Sequence, residues 1–147
     1  MTRKAVEGQA HLVQMLHGLR CSQISIGEDD ELIIDFGELL QVAPGDHDGE
    51  SWLIIECPWR LDSDDEVLCG WDDSDDTITT TIAELLDATL VTSQVRLPGY
   101  DLHLTFDTGE YPLYLKVFPD CLAYFIDDTT TVSIPWYAGG KATESPR

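Results

Sequence analysis

Two tracts of period-two alternation run through this chain in the same order. Leu19-x-x-Ser22-Gln23-Ile24-x-Ile26 recurs as Leu90-x-x-Ser93-Gln94-Val95-x-Leu97, and Leu32-x-Ile34-x-Phe36 recurs as Leu102-x-Leu104-x-Phe106. Strict alternation marks strands with one buried face, because successive side chains point to opposite sides of the backbone. The correspondence continues: Trp52-Leu53-x-Ile55 matches Tyr114-Leu115-x-Val117, Pro58 matches Pro119, and the turn and strand of 62–67 match 127–132. This repetition predicts an α+β fold, an antiparallel sheet built from two pseudo-repeats over about 5–70 and 77–136. Each would be a helix followed by a four-stranded meander. Any two meanders share alternation, so the Ser-Gln pair and the constant order are what favour duplication.

Helical spacing of Leu12, Val13, Met15, Leu16 and Leu19 predicts a first helix over 5–18, with Gly18 as its C-cap. A second helix is expected over 77–88, where Ile78, Ile82, Leu85 and Leu86 share a face behind the acidic flank Asp72-Asp73-Ser74-Asp75-Asp76. The first half carries a hairpin turning at Gly27-Glu28-Asp29-Asp30, a loop over 41–50, a strand over 51–59 and a short strand at Val67-Leu68. In the second half, strands are expected over 90–97, 101–107, 111–118, 122–127 and 132–136. One domain over 1–138, followed by a flexible tail over 139–147, accounts for the whole length.

Charge narrows the functional classes. The chain has 28 acidic residues against 8 Lys and Arg, a formal net charge of -20. Direct binding to nucleic acid phosphates, which depends on basic side chains releasing counterions, is excluded on that balance. Anionic membrane surfaces are disfavoured, and no apolar run reaches the roughly 18 residues a spanning helix needs. Residues 21–95 hold 20 acids and one base, Arg60, so nearly all the negative charge lies in the first half and the central connection. No export signal opens the chain, and Cys21, Cys57, Cys69 and Cys121 form no C-x-x-C pair. Reduced, mostly buried thiols in a cytoplasmic protein are expected.

The densest acidic stretch is Asp62, Asp64, Asp65, Glu66, Asp72, Asp73, Asp75 and Asp76, flanked by Trp59 and Trp71. Neither Asp62 nor Asp72 starts an EF-hand frame, so no metal is assigned. Leu61-Asp62-Ser63-Asp64 is similar to an aspartyl phosphotransfer motif, but its counterpart Ile126-Asp127-Asp128-Thr129 favours a plain hairpin turn. Trp supplies buried area while carboxylates steer association, so these ten residues form the candidate surface for a basic partner. Core packing is the competing role for the rings, Trp52 above all. Arg60 is expected to tie two strands together through carboxylates. Catalytic and cofactor signatures are missing from the sequence: His11, His17, His47 and His103 form no H-E-x-x-H, no G-x-S-x-G occurs, and Gly139-Gly140-Lys141 is no phosphate loop. His103 alternates with Leu102 and Leu104, which puts it on an open sheet face.

The string Trp52-Leu53-Ile54-Ile55-Glu56-Cys57-Pro58-Trp59-Arg60-Leu61-Asp62-Ser63-Asp64-Asp65-Glu66, with Asp101-Leu102-x-Leu104-x-Phe106 and Leu115-x-Val117-Phe118-Pro119-Asp120, resembles a bacterial family of unknown function. Such proteins resemble those encoded near polymorphic toxin systems. The resemblance implies an immunity-like role and carries over no catalytic residues.

Three readings follow from these features. The first is a small acidic non-enzymatic binding protein, immunity-like or an inhibitor, acting on a basic nuclease toxin or nucleic-acid-binding protein. It would be a monomer or weak homodimer, without cofactor, metal or direct nucleic acid contact. The second is a small-molecule binder or enzyme with a pocket between the pseudo-repeats, lined by Trp52, Tyr114 and Tyr124. The third is homo-oligomerisation through an open sheet edge, which the charge opposes unless the near-neutral second half makes the contact.

Overall fold

A computed structural model describes residues 3–96, 99–119 and 135–143 of the chain. Helix α1 (Arg3–Gln14) leads through a turn into β1 (Cys21–Ile26), β2 (Leu32–Ala43) and β3 (Asp46–Ile55). These are followed by β4 (Trp59–Asp62), β5 (Val67–Gly70) and helix α2 (Asp75–Ile82), which a 3-10 turn extends to Leu85. Strands β6 (Thr89–Arg96), β7 (Asp101–Asp107), β8 (Pro112–Val117) and β9 (Trp136–Gly140) complete the described chain. The class is α+β with two antiparallel sheets, and no helix among the described residues is long and apolar enough to cross a membrane.

Sheet membership differs from a four-stranded meander in each half. One sheet runs β1-β2-β3-β9 and the other β5-β4-β8-β7-β6. Each helix is followed by a three-stranded meander, and the strand beside the third comes from the other half of the chain. The physical reason lies at the crossovers. Glu56 N–H donates to the Pro135 carbonyl at 2.6 Å, and Phe118 N–H donates to the Pro58 carbonyl at 2.9 Å. A proline has no N–H to give a ladder, so Pro58 and Pro135 each open a strand rather than sit inside one. Trp136 then pairs with Ile55, and Trp59 with Val117, the last residues of β3 and β8.

The halves meet along the starts of β1 and β6. Cys21 N–H donates to the Ala88 carbonyl and Leu90 N–H to the Leu19 carbonyl, while Gly18 N–H donates to Leu90 and Asp87 N–H to Cys21. Gly18 and Asp87, which end the two helical segments, both have left-handed φ, 88° and 67°. Register shifts fall at Cys21/Gln23 against β2 and at Leu90/Thr92 against β7, beside Phe36 and Phe106. Those two rings stack between the sheets among fully buried Leu32, Ile34, Leu53, Leu102 and Leu115. Val13 and Leu16 of the α1 segment, and Ile78, Ile82 and Leu85 of the α2 segment, close the core.

Two expected irregular segments are ordered. The loop expected over 41–50 is the distal end of a β2–β3 hairpin, with Leu40 paired to Asp48 and Ala43 to Asp46. Of the tail expected over 139–147, Gly139 and Gly140 complete β9 opposite Trp52 and Ser51. Ala142 N–H then donates to Ser51 Oγ at 2.8 Å, which anchors the following turn. The strand expected over 122–127, most of that over 132–136, and Cys121 lie outside the described residues.

Candidate acidic groove

The β1–β2 turn, the β3–β4 crossover and the N-terminus of α2 enclose a groove of about 380 Å³. Among the described residues its carboxylates are Asp29, Asp30, Glu56, Asp72, Asp73 and Asp75, and no Lys or Arg lines it. Ile26, Pro58, Trp59 and Ile78 supply its apolar lining, and Trp71 stands beside it with 56% of its surface exposed.

Local hydrogen bonds set this arrangement. Asp30 takes a left-handed φ of 62°, and its N–H donates to the Gly27 carbonyl, which closes the β1–β2 turn. Asp29 N–H donates to the Glu31 carboxylate at 3.0 Å. Beyond β5, Gly70 N–H donates to Asp73 Oδ2 at 2.8 Å and Trp71 N–H to the Trp59 carbonyl at 3.0 Å. That pair of bonds turns the chain so that the indole leaves the sheet. Ser74 caps α2 by accepting from Thr77 N–H, and Asp75 and Asp76 occupy the first turn, where carboxylates complement the helix dipole.

The ten candidate residues separate into groups. Trp71, Asp72, Asp73 and Asp75 gather at the groove; Asp76 is exposed on the first turn of α2 but does not line it. Asp64, Asp65 and Glu66 are exposed in the β4–β5 turn, where Ser63 Oγ accepts from both Asp65 and Glu66 N–H, as the hairpin reading expected. Trp59 and Asp62 leave the surface. Trp59 is 2% exposed in the core, so its ring reaches the groove only as buried lining. Asp62, 6% exposed, accepts from Arg60 Nε at 2.8 Å and Arg60 Nη2 at 3.0 Å, and Lys116 Nζ lies 3.0 Å away. Burial works against ionising Asp62, but the bonds from Arg60 and Lys116 outweigh it and hold its carboxyl below the ordinary range. The strand tie expected of Arg60 is therefore made by Lys116, since Arg60 and Asp62 share β4.

Asp29 and Asp30 escaped sequence reasoning because they lie far in sequence from the dense cluster, and Glu56 because it stands as a single acid ahead of it. The turn signal Gly27-Glu28-Asp29-Asp30 was visible, but its approach to Trp71 depends on the crossover that only the fold shows. Among the described residues no group of three or more His, Cys, Asp or Glu is placed to hold a metal ion. Cys21, Cys57 and Cys69 are buried, and burial raises the Cys21 thiol to about 12 and the Cys69 thiol to about 11.

The pocket expected between the halves is not formed by the residues named for it. Trp52 faces outward from β3, its ring against Gly139, while Tyr114 faces outward from the other sheet and donates to Asp64 at 2.7 Å. The inner faces are filled by the Phe36–Phe106 stack and its leucines; Tyr124 lies outside the described residues. Comparison with family models, with curated proteins and with solved structures finds no match to this chain.

Proposed function

We propose that the chain is a non-enzymatic, immunity-like inhibitor that holds a basic protein, a nuclease or nucleic-acid-binding protein, in its acidic groove. The observation that carries this reading is the groove itself: among the described residues, six carboxylates and no Lys or Arg around an apolar lining, with Trp71, 56% exposed, at its side. Unpaired carboxylates repel one another at neutral pH, and a partner's Lys and Arg side chains relieve that repulsion. Such complementarity raises association rates and makes them fall steeply with salt, while a desolvated Trp supplies the anchor. Buried Cys21 and Cys69 thiols fit a reducing, cytoplasmic setting for this inhibitor.

Internal duplication is the companion proposal, and the reciprocal hydrogen bonds Gly18–Leu90 and Asp87–Cys21 support it, as do the matching sheet orders.

The test takes a partner recovered from host lysate, purifies it, and measures association kinetics against ionic strength for the native chain and the Asp72→Asn/Asp73→Asn/Asp75→Asn variant. Slower association with a shallower salt dependence supports the reading. Unchanged kinetics in a folded variant removes the groove from the mechanism.

A further inference from the structure

A second groove, of about 440 Å³, lies on the outer face of the five-stranded sheet. One cross-strand row runs along it: Gln94 faces His103, His103 faces Lys116, and Lys116 faces Arg60. Like charges set directly opposite each other oppose strand pairing. The fold does not demand them, because the corresponding row of the four-stranded sheet is Ser25, Ile33, Ile54 and Tyr137. In a chain with 8 Lys and Arg among 147 residues, this row holds two of them beside a histidine, and Arg96 lines the same groove.

Neutralisation along the row is incomplete. Asp62 serves both Arg60 and Lys116. Arg96 donates to the uncharged Gln94 amide at 3.1 Å and lines the groove together with Lys116. Asp64, the acid that does, is engaged by the Tyr114 hydroxyl. His103 registers the imbalance: burial lowers its pKa, and Arg96, Lys116 and Arg60 lower it further against the single opposing pull of Asp62. A local rule broken with one carboxylate shared between two cations points to a site completed by something else.

We propose that this groove binds a compact oxyanion, a carboxylate or phosphate group, between Lys116 and Arg96 and over His103, with the Thr92 and Thr105 hydroxyls as neutral donors. Charge-assisted bonds from an ammonium and a guanidinium suit either group, and the anion removes the excess positive charge along the row.

The experiment follows the His103 imidazole resonances of the full chain by NMR across a pH titration. Inorganic phosphate or acetate replaces chloride at constant ionic strength. Saturable displacement and a raised His103 midpoint with phosphate, acetate or both supports the proposal and identifies the group. Lys116→Gln or Arg96→Gln should weaken that binding roughly tenfold. Arg96, on the edge strand and with its side chain bonded to Gln94 of the same strand, keeps the test valid if Lys116→Gln disturbs the sheet. Resonances that move no more than in chloride overturn the proposal, as does native-like affinity in the folded Arg96→Gln variant.

Discussion

The rings of Phe36 and Phe106 stack with centroids 6.3 Å apart and planes 8° from parallel, each from the second strand of its own meander. Both are fully buried, so each fills space the other sheet has no residue to replace. Truncating either to Ala should cost about 3–5 kcal/mol of unfolding free energy. The double variant should lose less than the sum of the two by roughly 0.5–3 kcal/mol, measured by urea denaturation. Additive losses would show that the contact couples nothing.

Much of this was readable in the sequence, and the failures have physical causes. The match of Trp52-Leu53-x-Ile55 to Tyr114-Leu115-x-Val117 is also the structural register, since Leu53 faces Ile34 and Leu115 faces Leu104. The identical Ser-Gln pairs are not: Ile24 faces Ile34, whereas Ser93 faces Leu104, two residues away from the sequence match. Period two leaves a slip of two invisible, because the same face stays buried. Pro58-Trp59 and Pro135-Trp136 occupy equivalent positions, yet Pro119 stood closer to the expected spacing. Of the groove, sequence clustering found the residues after β5; the turn carboxylates and Glu56 needed the crossover.

Gly140 has a φ of 103°, and a Cβ there would lie 2.4 Å from the Glu50 carbonyl oxygen and 2.5 Å from Ser51 Cα. Gly140→Ala should therefore loosen β9 from β3 and cost at least about 1–3 kcal/mol. Hydrogen exchange should show faster exchange at Tyr137 and Gly139, whose N–H groups face β3, and at Ala142, which donates to Ser51. Native exchange rates in the variant would mean that β9 does not depend on this close approach.

Asp35 is buried behind β2, where desolvation raises its pKa despite the bond accepted from Gly49 N–H at 3.0 Å. A carboxyl whose folded pKa lies above its unfolded value contributes stability at low pH and loses it as pH rises through the folded value. Asp35→Asn should remove that decline, so the gap between native chain and variant should change across the mildly acidic range in urea titrations. Parallel pH profiles for the two proteins would contradict this assignment.

Asp62 behaves in the opposite sense. Its lowered pKa means stability present above the ordinary Asp value and lost as pH falls through the folded one. Asp62→Asn should cost about 1–2 kcal/mol at neutral pH, discounted for the partial exposure of Arg60 and Lys116, and the difference should vanish in acid. The His103 midpoint should fall further in this variant, because Asp62 supplies the pull that raises it.

Trp71 is exposed, and among the described residues it bonds the sheet through its backbone N–H, which the substitution keeps, so Trp71→Ala should leave stability within about 0.5 kcal/mol. Affinity for the proposed basic partner should fall by about 2 kcal/mol or more, roughly thirtyfold, in calorimetry. Unaltered affinity would assign the indole no part in the contact.

The exchange of fourth strands sets the order in which the chain can be completed during synthesis. When β1, β2 and β3 have left the ribosome, β3 still presents an open edge, and the strand that covers it is the last among the described residues. Unpaired edges on a nascent chain invite pairing with neighbours, and the long wait for a distant strand prolongs that hazard. From Cys21 to Trp59 the emerging segment carries acids and no Lys or Arg. Like charge on neighbouring nascent copies opposes such pairing at the open edge until β9 arrives.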